Sequence, residues 1–432
     1  MFRRERILGV LMAAGFLMIS CQPNVEVITP EYTRPVSVDK PDTPADSTST
    51  QPAIPAGPSI PADMTTLPLV FISTPNAVGV KSKDTWLEKA VITITNDQGK
   101  ELYKGENMSI RGRGNSTWWN PKKPYAIKLY DKADFFGTGK SRKWVLLANY
   151  LDRTLLRNVV AFEAARRTSM EWTPSGRFVE LYMDGKHLGI YWLGEKINVE
   201  GSKFEADYLY SFDISDGNET DFYDDGTFCA NGWKYGAPVE VKYPDRDKYE
   251  NGKFATIVAA AKKKLKAMTD GISAGSLNQI NIDSFCDWYL VHELAFNLEP
   301  GHPKSCFFYW RKDKMYAGPV WDFDWYTFVP DENNLGIRYA LWYNKLLENA
   351  AFKKRLKERW TELKPQFETL SDFIDEQADL IREAEAVNHN MWPIDGSYIN
   401  YDERMTFQEA VDRMKLSLAN RIAVLDEKIP AL

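Results

Sequence analysis

The stretch Met315-Tyr316-Ala317-Gly318-Pro319-Val320-Trp321-Asp322-Phe323-Asp324 places two carboxylates in an otherwise apolar sequence. Its composition is typical of a buried β-strand, and a buried charge is costly unless it is paired or binds a metal. Carboxylates at positions i and i+2 of a strand point to the same face. Asp322 and Asp324 are therefore predicted to bind one hard cation such as Mg²⁺, which prefers oxygen ligands. A helix N-cap or a buried salt bridge is the structural alternative.

The composition is that of a soluble globular protein and excludes one class of partner. Of the 432 residues, 44% are hydrophobic and 26% are charged, which is ordinary for a folded domain. The net charge of −6 gives no basic surface for a nucleic acid, so we expect no nucleic-acid partner.

The first 21 residues have the pattern of an export signal. Arg3, Arg4 and Arg6 precede the apolar run Ile7 to Ile19, which is too short to span a membrane stably. The end of this run, Leu17-Met18-Ile19-Ser20-Cys21, resembles a bacterial lipobox. This predicts a lipid-anchored protein of the cell envelope, facing the periplasm or on the outer membrane, with Cys21 as the lipidated N-terminus. An ordinary secretory signal cut nearby is the alternative.

Residues 22–63 read as a tether. They are rich in Pro, Ser, Thr and Asp and show no apolar periodicity, so they cannot bury enough surface to offset the entropy of ordering. Without Cys21 the chain keeps an odd number of cysteines, namely Cys229, Cys286 and Cys306. No disulfide framework is therefore expected to hold the fold.

Residues 64–432 are predicted to form an α+β domain with a β-rich first half. Strands are expected where apolar residues alternate and turn residues follow, and Asp184-Gly185 predicts a hairpin turn. The predicted strands are 67–74, 90–95, 107–111, 124–130, 178–183 and 189–193. Helical spacing predicts helices at 155–167, 254–268 and 282–297 and over most of 344–429, whereas 200–250 reads as loop-rich.

Several elements follow one another in the order of a phosphoryl-transfer site. The turn Arg111-Gly112-Arg113-Gly114-Asn115-Ser116 offers glycines for close backbone approach to phosphate and arginines for its charge. The turn is followed by Lys128 on the next strand, Glu163 on the next helix, the loop 297–305 and then Asp322. This matches the order of phosphate loop, lysine, orienting glutamate, catalytic loop and metal ligand. A glycine-rich hairpin turn and solvated surface lysines are the structural alternatives. The sequence has no G-x-S-x-G, Walker A or H-E-x-x-H motif.

These residues closely resemble the CotH kinase family, the relatives of spore coat protein H. The resemblance is carried by segments 111–118, 121–129, 143–150, 154–158, 177–182, 189–191, 195–197 and 318–324, which occur in the family's order. It implies an atypical protein-kinase-like fold, with a β-rich N-lobe at about 64–197 and a mainly helical C-lobe at about 198–432. It also implies transfer of phosphate from ATP to side chains of secreted proteins.

The resemblance assigns roles to individual residues. Asp322 would bind the metal, Mg²⁺ or Mn²⁺, with Asp324 as a neighbouring ligand. Glu299 occupies the place of the family's catalytic aspartate and is one methylene longer. The predicted nucleotide-binding residues are Arg111, Arg113, Lys128, Glu163, which would orient Lys128, and Glu195; Lys122, Lys123 and Lys196 are alternatives for the lysine.

The leading interpretation is thus an exported kinase that uses ATP and a divalent metal to modify an unknown secreted or surface protein. The first alternative is a pseudokinase-like surface module that binds a glycan or a protein, for which exposed tryptophans such as Trp118, Trp119, Trp342 and Trp392 would be suited. The second alternative is metal-dependent hydrolysis of a phosphoester, which needs the same carboxylates but no acceptor protein.

Overall fold

The computed structural model describes residues 67–96, 99–199, 203–214, 220–224, 236–330, 332–394 and 400–432. The predicted signal segment, Cys21, the tether and Cys229 lie outside these ranges, so their assignments stay predictions. Cys286 and Cys306 are both buried and reduced. Within the described ranges, no helix is both long enough and apolar enough to cross a membrane.

The first half of the domain is a closed barrel of seven strands. Its strands are β1 (Leu69–Ser73), β2 (Leu87–Thr95), β3 (Glu101–Gly112), β4 (Tyr125–Ala133), β5 (Ser141–Leu147), β6 (Gly176–Met183) and β7 (Lys186–Glu195), in the order β1-β2-β3-β4-β5-β7-β6. All neighbours are antiparallel except β1 and β6. Every second side chain, such as Ile127, Leu129, Trp144 and Leu146, fills the interior. The six predicted strands are confirmed, and β5 is an additional one.

A second sheet belongs to the C-terminal half. It contains β8 (Tyr208–Phe212), β9 (Phe222–Asp224), β10 (Ala237–Tyr243), β11 (Cys306–Arg311) and β12 (Lys314–Ala317), in the order β12-β11-β8-β10-β9. The interpretation of 200–250 as loop-rich is therefore wrong for three strands. β8 is short and buried on both faces, so it lacks the alternation by which strands are recognised.

The remaining mass is helical, as predicted. The helices are α1 (Arg157–Arg166), α2 (Asn251–Ser273), α3 (Ile282–Ala295), α4 (Tyr343–Leu346), α5 (Ala350–Glu368), α6 (Leu370–Met391) and α7 (Phe407–Lys428). α3 is buried on nearly every side at the centre of this half. It begins at Asn281, whose side chain accepts a hydrogen bond from the backbone N–H of Ser284 at 2.9 Å. The molecule is thus a mixed α+β protein with a sheet-rich N-terminal part and a mainly helical C-terminal part.

A buried lysine fastens α6 to the barrel. Lys122 is 1% exposed, and its Nζ donates hydrogen bonds to the carbonyl of Ala148 at 2.9 Å, to Asn388 Oδ1 on α6 at 2.8 Å and to the carbonyl of Ile190. A Cβ at Gly189 would lie 2.5 Å from Asn388 Oδ1, so this close approach requires glycine. These bonds occupy all three donors of Lys122, which leaves the ammonium no donor for a nucleotide.

Candidate active site

The carboxylate segment 321–324 is not a strand, so that prediction is wrong. No strand spans these residues, and Asp322 has a φ of 65°, in the left-handed region rather than the extended one. Asparagine side chains, rather than a neighbouring strand, bind the segment's backbone. Asn158 accepts a hydrogen bond from the N–H of Phe323 at 2.8 Å. Asn297 donates to the carbonyl of Asp322 at 3.3 Å, and Asn400 donates to that of Asp324 at 2.9 Å.

This backbone brings the two aspartate side chains into contact. Burial raises the pKa of Asp324 well above its usual range, and the charge of Asp322 and a hydrogen bond to it raise it further. Ser305 donates its hydroxyl to Asp322 Oδ2 at 3.1 Å. Two carboxylates this close repel each other unless a proton or a cation lies between them. The pair is therefore a suitable place for a cation to bind.

Glu299 completes a carboxylate cluster, by which we mean Glu299, Asp322 and Asp324. It lies in the 3₁₀ turn Glu299–Gly301 after α3 and is 7% exposed. Burial raises the pKa of Glu299 well above its usual range, followed by the charges of Asp322 and Asp324. Within the described ranges Glu299 Oε2 has no hydrogen-bond partner. A buried carboxylate oxygen without a partner favours a bound cation or a substrate donor beside it.

Four basic residues, Arg111, Arg113, Lys143 and Lys196, form a cation cluster, in which the charges of the other three act on Lys196. Arg111 on β3 and Lys143 on β5 point out of the barrel, because the residues next to them, Ile110 and Trp144, point inward. The backbone N–H of Lys196 donates to the carbonyl of Lys143 at 3.2 Å, which sets these two lysines side by side.

Arg113 connects the two clusters. Its guanidinium carbon lies 5.5 Å from the centre of the Trp321 ring. Burial lowers the pKa of Arg113, while the charges of Asp322 and Asp324 act to raise it. The guanidinium is therefore within electrostatic range of both aspartates, and it can neutralise a phosphate that bridges the clusters.

Lys196 is the most strongly perturbed member of the cation cluster. Burial, followed by the charges of Lys242, Arg113, Lys143 and Arg111, lowers its pKa to about 7. Its side chain nevertheless keeps an exposed surface. Such a lysine gains its proton when an anion binds beside it.

The predicted pairing of Lys128 with Glu163 is not formed. Glu163 instead binds Arg166 at 2.6 Å and Arg167 at 2.9 Å. Lys128 is exposed on the outer face of β4 and lies opposite Lys143 in the strand pairing. The helical spacing that placed Glu163 on α1 was correct, but arginines three and four residues further on the same helix take its carboxylate.

Two other predicted residues lie in different surroundings. Glu195 is fully buried, and its Oε1 lies 2.6 Å from Lys203 Nζ. Lys123 donates to the carbonyl of Trp118 at 2.8 Å, beside the glycine-containing turn. Glu195 thus neutralises a buried lysine, and Lys123 supports the turn.

Sequence reasoning missed Lys143 as a site residue. It is partly buried, and its Nζ lies 3.1 Å from Asp245 Oδ2. The alternation within Ser141–Leu147 would have placed it on the outer face beside Arg111. The asparagines that bind the 321–324 backbone could not have been found this way, because they come from three distant parts of the chain.

The carboxylate cluster fits a hard divalent ion. Asp322 and Asp324 offer neighbouring carboxylate oxygens, the kind of ligand that a hard divalent cation prefers. Across the described ranges, no group of three or more His, Cys, Asp or Glu side chains has the geometry of a complete metal site. Mg²⁺ usually takes only one or two carboxylates from the protein and completes its shell with water and phosphate oxygens.

Neighbouring cations and carboxylates on an α+β scaffold are compatible with a kinase-like protein. The sequence profile of the family described as CotH kinase protein matches residues 110–425. The match covers most of the chain, which therefore belongs to the CotH kinase family, and it includes every residue of both clusters. A comparison with curated proteins gave no match.

The perturbed pKa of Lys196 predicts a pH-dependent affinity for phosphate ligands. The lysine, with its pKa of about 7, is largely neutral at pH 8 and becomes charged when an anion binds. We therefore expect proton uptake on binding of ATP with Mg²⁺, and an affinity that falls up to about tenfold per pH unit above pH 7. Calorimetric titration at pH 6.5, 7.5 and 8.5, in buffers of different ionisation enthalpy, measures both quantities.

The matched control is Lys132→Met, which removes an exposed lysine of β4 outside the cation cluster. Lys132→Met should bind with the pH dependence of the wild type, whereas Lys196→Met should bind without proton uptake. An unchanged uptake in Lys196→Met would show that another group takes the proton.

Proposed function

We propose that the protein is an exported, lipid-anchored kinase that transfers the γ-phosphoryl group of ATP to a side chain of a secreted or surface protein. The single observation that carries this proposal is that Arg113, a member of the cation cluster, lies within electrostatic range of Asp322 and Asp324 of the carboxylate cluster. Phosphoryl transfer needs positioning and charge neutralisation rather than a covalent nucleophile on the enzyme, and these clusters supply both. The sheet-rich and helical parts would be the two lobes of an atypical protein-kinase-like fold.

The proposed roles follow from charge and placement. Arg111, Arg113 and Lys196 bind the phosphates of ATP, and Lys143 adds positive charge beside them. Asp322 and Asp324 hold the divalent ion, Mg²⁺ or Mn²⁺. When bound, the ion would neutralise phosphate charge and orient the terminal phosphate.

Glu299 would act on the acceptor. The acceptor's hydroxyl oxygen attacks the γ-phosphorus, the bond from that phosphorus to the β,γ-bridging oxygen breaks, and ADP leaves. The hydroxyl proton passes to the Glu299 carboxylate, which must be ionised to accept it. The raised pKa of Glu299 opposes ionisation in the isolated protein, so the positive charge that enters the site with the substrates would have to lower it.

The proposed location rests on the leader sequence. Arg3, Arg4 and Arg6, the apolar run and Cys21 direct the chain to the cell envelope, and residues 22–63 would separate the domain from its lipid anchor. An acceptor on the same membrane would then meet the domain at a high effective concentration.

A second candidate function is a pseudokinase-like binding module, and Glu299 is the observation that favours it. Its side chain is longer than aspartate by one methylene, and a misplacement near 1 Å can cost about 10²-fold in rate. Burial and two neighbouring carboxylates favour its protonated form. Such a protein would bind ATP or a partner without transferring phosphate.

Transfer of radiolabel from γ-labelled ATP, with Mn²⁺ or Mg²⁺ and envelope protein as acceptor, separates the two functions. The kinase proposal predicts transfer by the wild type, a loss of about 10²-fold in Glu299→Gln and retained activity in Glu299→Asp. ATP-dependent thermal stabilisation without any transfer would support the pseudokinase. Equal transfer by wild type and Glu299→Gln would remove Glu299 from the mechanism.

A further inference from the structure

The fold contains a cavity of about 440 Å³. Its walls come from the segment after α1, the start of α3 and the β11–β12 hairpin. The side chains that matter to its chemistry are Glu171, Trp172, Asp283, Tyr309, Arg311 and Tyr316. No member of the cation or carboxylate cluster lines it, and its volume is within the range of small-molecule sites.

The charged groups of the cavity neutralise one another. Arg311 Nη1 lies 2.5 Å from Glu171 Oε2. Asp283 binds Arg355, with Nε–Oδ1 at 2.6 Å and Nη2–Oδ2 at 3.0 Å. Neither an anion nor a cation would find an uncompensated charge here, so these pairs disfavour phosphate and amine ligands alike.

The same groups offer hydrogen bonds to a neutral ligand. Glu171 Oε2 accepts hydrogen bonds from Arg311 and, at 3.1 Å, from the hydroxyl of Tyr309. The other oxygen of this carboxylate, Glu171 Oε1, can accept a further hydrogen bond. Asn281 adds both a donor and an acceptor to the lining. Adjacent donors and acceptors of this kind match adjacent hydroxyl groups.

The other wall is apolar and aromatic. Trp172 is half-buried and stacks on Phe204 with ring centres 5.7 Å apart. Met170 and Pro319 complete this side. The Tyr316 ring contacts Tyr309 at 5.0 Å and Arg311 at 4.6 Å, so these neighbours fix it in place. A ligand that fits has an apolar C–H surface on one side and hydroxyl groups on the other.

We propose that this cavity binds a neutral saccharide of one or two rings. Such a ligand has no net charge, carries adjacent hydroxyls for Glu171, Arg311 and Asn281, and presents C–H groups to Trp172. The site is separate from phosphoryl transfer and does not depend on it. It also corrects the exposed-tryptophan prediction: Trp342 is 1% exposed core, Trp118 and Trp392 are half-buried, and of the four only Trp119, 77% exposed, is open to solvent.

The test is saturation-transfer NMR and calorimetry on the full chain with cellobiose, chitobiose, maltose and xylobiose, and with glucose 6-phosphate as the charged arm. We expect at least one neutral disaccharide to bind, with about tenfold weaker affinity in Trp172→Ala and in Glu171→Gln. Trp119→Ala, which removes the most exposed tryptophan of the four, should bind as the wild type does. Circular dichroism spectra and thermal unfolding midpoints like those of the wild type would show that the variants are folded.

Each other outcome overturns the proposal. Absence of binding by all four disaccharides would exclude a neutral saccharide site. Tighter binding of glucose 6-phosphate would show that the cavity selects anions. Binding that survives Trp172→Ala and Glu171→Gln but is lost in Trp119→Ala would place the ligand on the surface near the glycine-containing turn.

Discussion

Replacing Asp322 with asparagine is expected to lower phosphoryl transfer by about 10³-fold. The substitution keeps the size of the side chain and its capacity to accept the hydroxyl of Ser305, but it removes half of the carboxylate pair. Loss of one preorganised group that stabilises transition-state charge costs about 10²–10³-fold, and loss of a metal ligand belongs at the upper end. The initial rate of radiolabel transfer at saturating ATP measures the effect.

The same substitution should leave the fold intact or make it more stable. Burial and the negative charge of Asp322 raise the pKa of Asp324, and Asp322→Asn removes that negative charge. The matched control is Asp313→Asn, an exposed aspartate between β11 and β12, which should keep wild-type activity. Transfer that survives Asp322→Asn in a folded protein would contradict the assignment of Asp322 to the metal.

Six of the seven barrel strands could be predicted from the sequence because the physical signal of a strand is local. In β4, Ile127 and Leu129 enter the core while Lys128 stays outside, so alternation marks the strand and its register. The hairpin of β6 and β7 was equally clear, since Asp184-Gly185 provides the positive φ angles of the turn.

The carboxylate segment could not be predicted in the same way. Its apolar composition indicates burial. A buried irregular segment and a buried strand have the same apolar composition, so the sequence does not distinguish them. What decides the conformation is three side chains, Asn158, Asn297 and Asn400, that bind its backbone from distant parts of the chain. Long-range hydrogen bonds of this kind leave no periodic trace.

Only part of the candidate site could be predicted from the sequence. The family resemblance located Glu299, Asp322 and Asp324, and the structure brings all three within electrostatic range. The roles of the basic residues were harder to predict. The role of a lysine depends on the face of the barrel from which its side chain projects and on the residues that lie opposite. Lys122 is a buried structural clamp and Lys196 lies beside Arg113, although both had been equal candidates in the sequence.

Replacing Arg157 with methionine is expected to lower the free energy of unfolding by about 3–5 kcal/mol. Arg157 is 2% exposed and forms ion pairs with two buried carboxylates, Asp152 and Asp402. Methionine keeps much of the length and apolar volume but leaves both carboxylates buried without a counter-charge. Urea unfolding followed by fluorescence and circular dichroism measures the loss, with agreement of the two signals as the check on two-state behaviour.

Two variants isolate the cause. Arg166→Gln, on the same helix, removes an arginine that is 44% exposed and pairs with Glu163, so it should cost no more than about 1 kcal/mol. Arg157→Met combined with Asp152→Asn and Asp402→Asn removes all three charges and should recover much of the loss. If Arg157→Met were no less stable than Arg166→Gln, the buried ion pairs would not be what holds this region together.

The loss of the Arg157 ion pairs should also affect the active site. Arg157 Nε donates a hydrogen bond to the carbonyl of Thr327 at 3.0 Å, and Asn400, two residues before Asp402, donates to the carbonyl of Asp324. The ion-pair network therefore supports the backbone that sets Asp322 against Asp324. At a temperature where Arg157→Met is still folded, we expect weaker binding of Mn²⁺ as well as slower transfer, whereas Arg166→Gln should change neither. Unaltered Mn²⁺ affinity in Arg157→Met would mean that the asparagines alone position the two carboxylates.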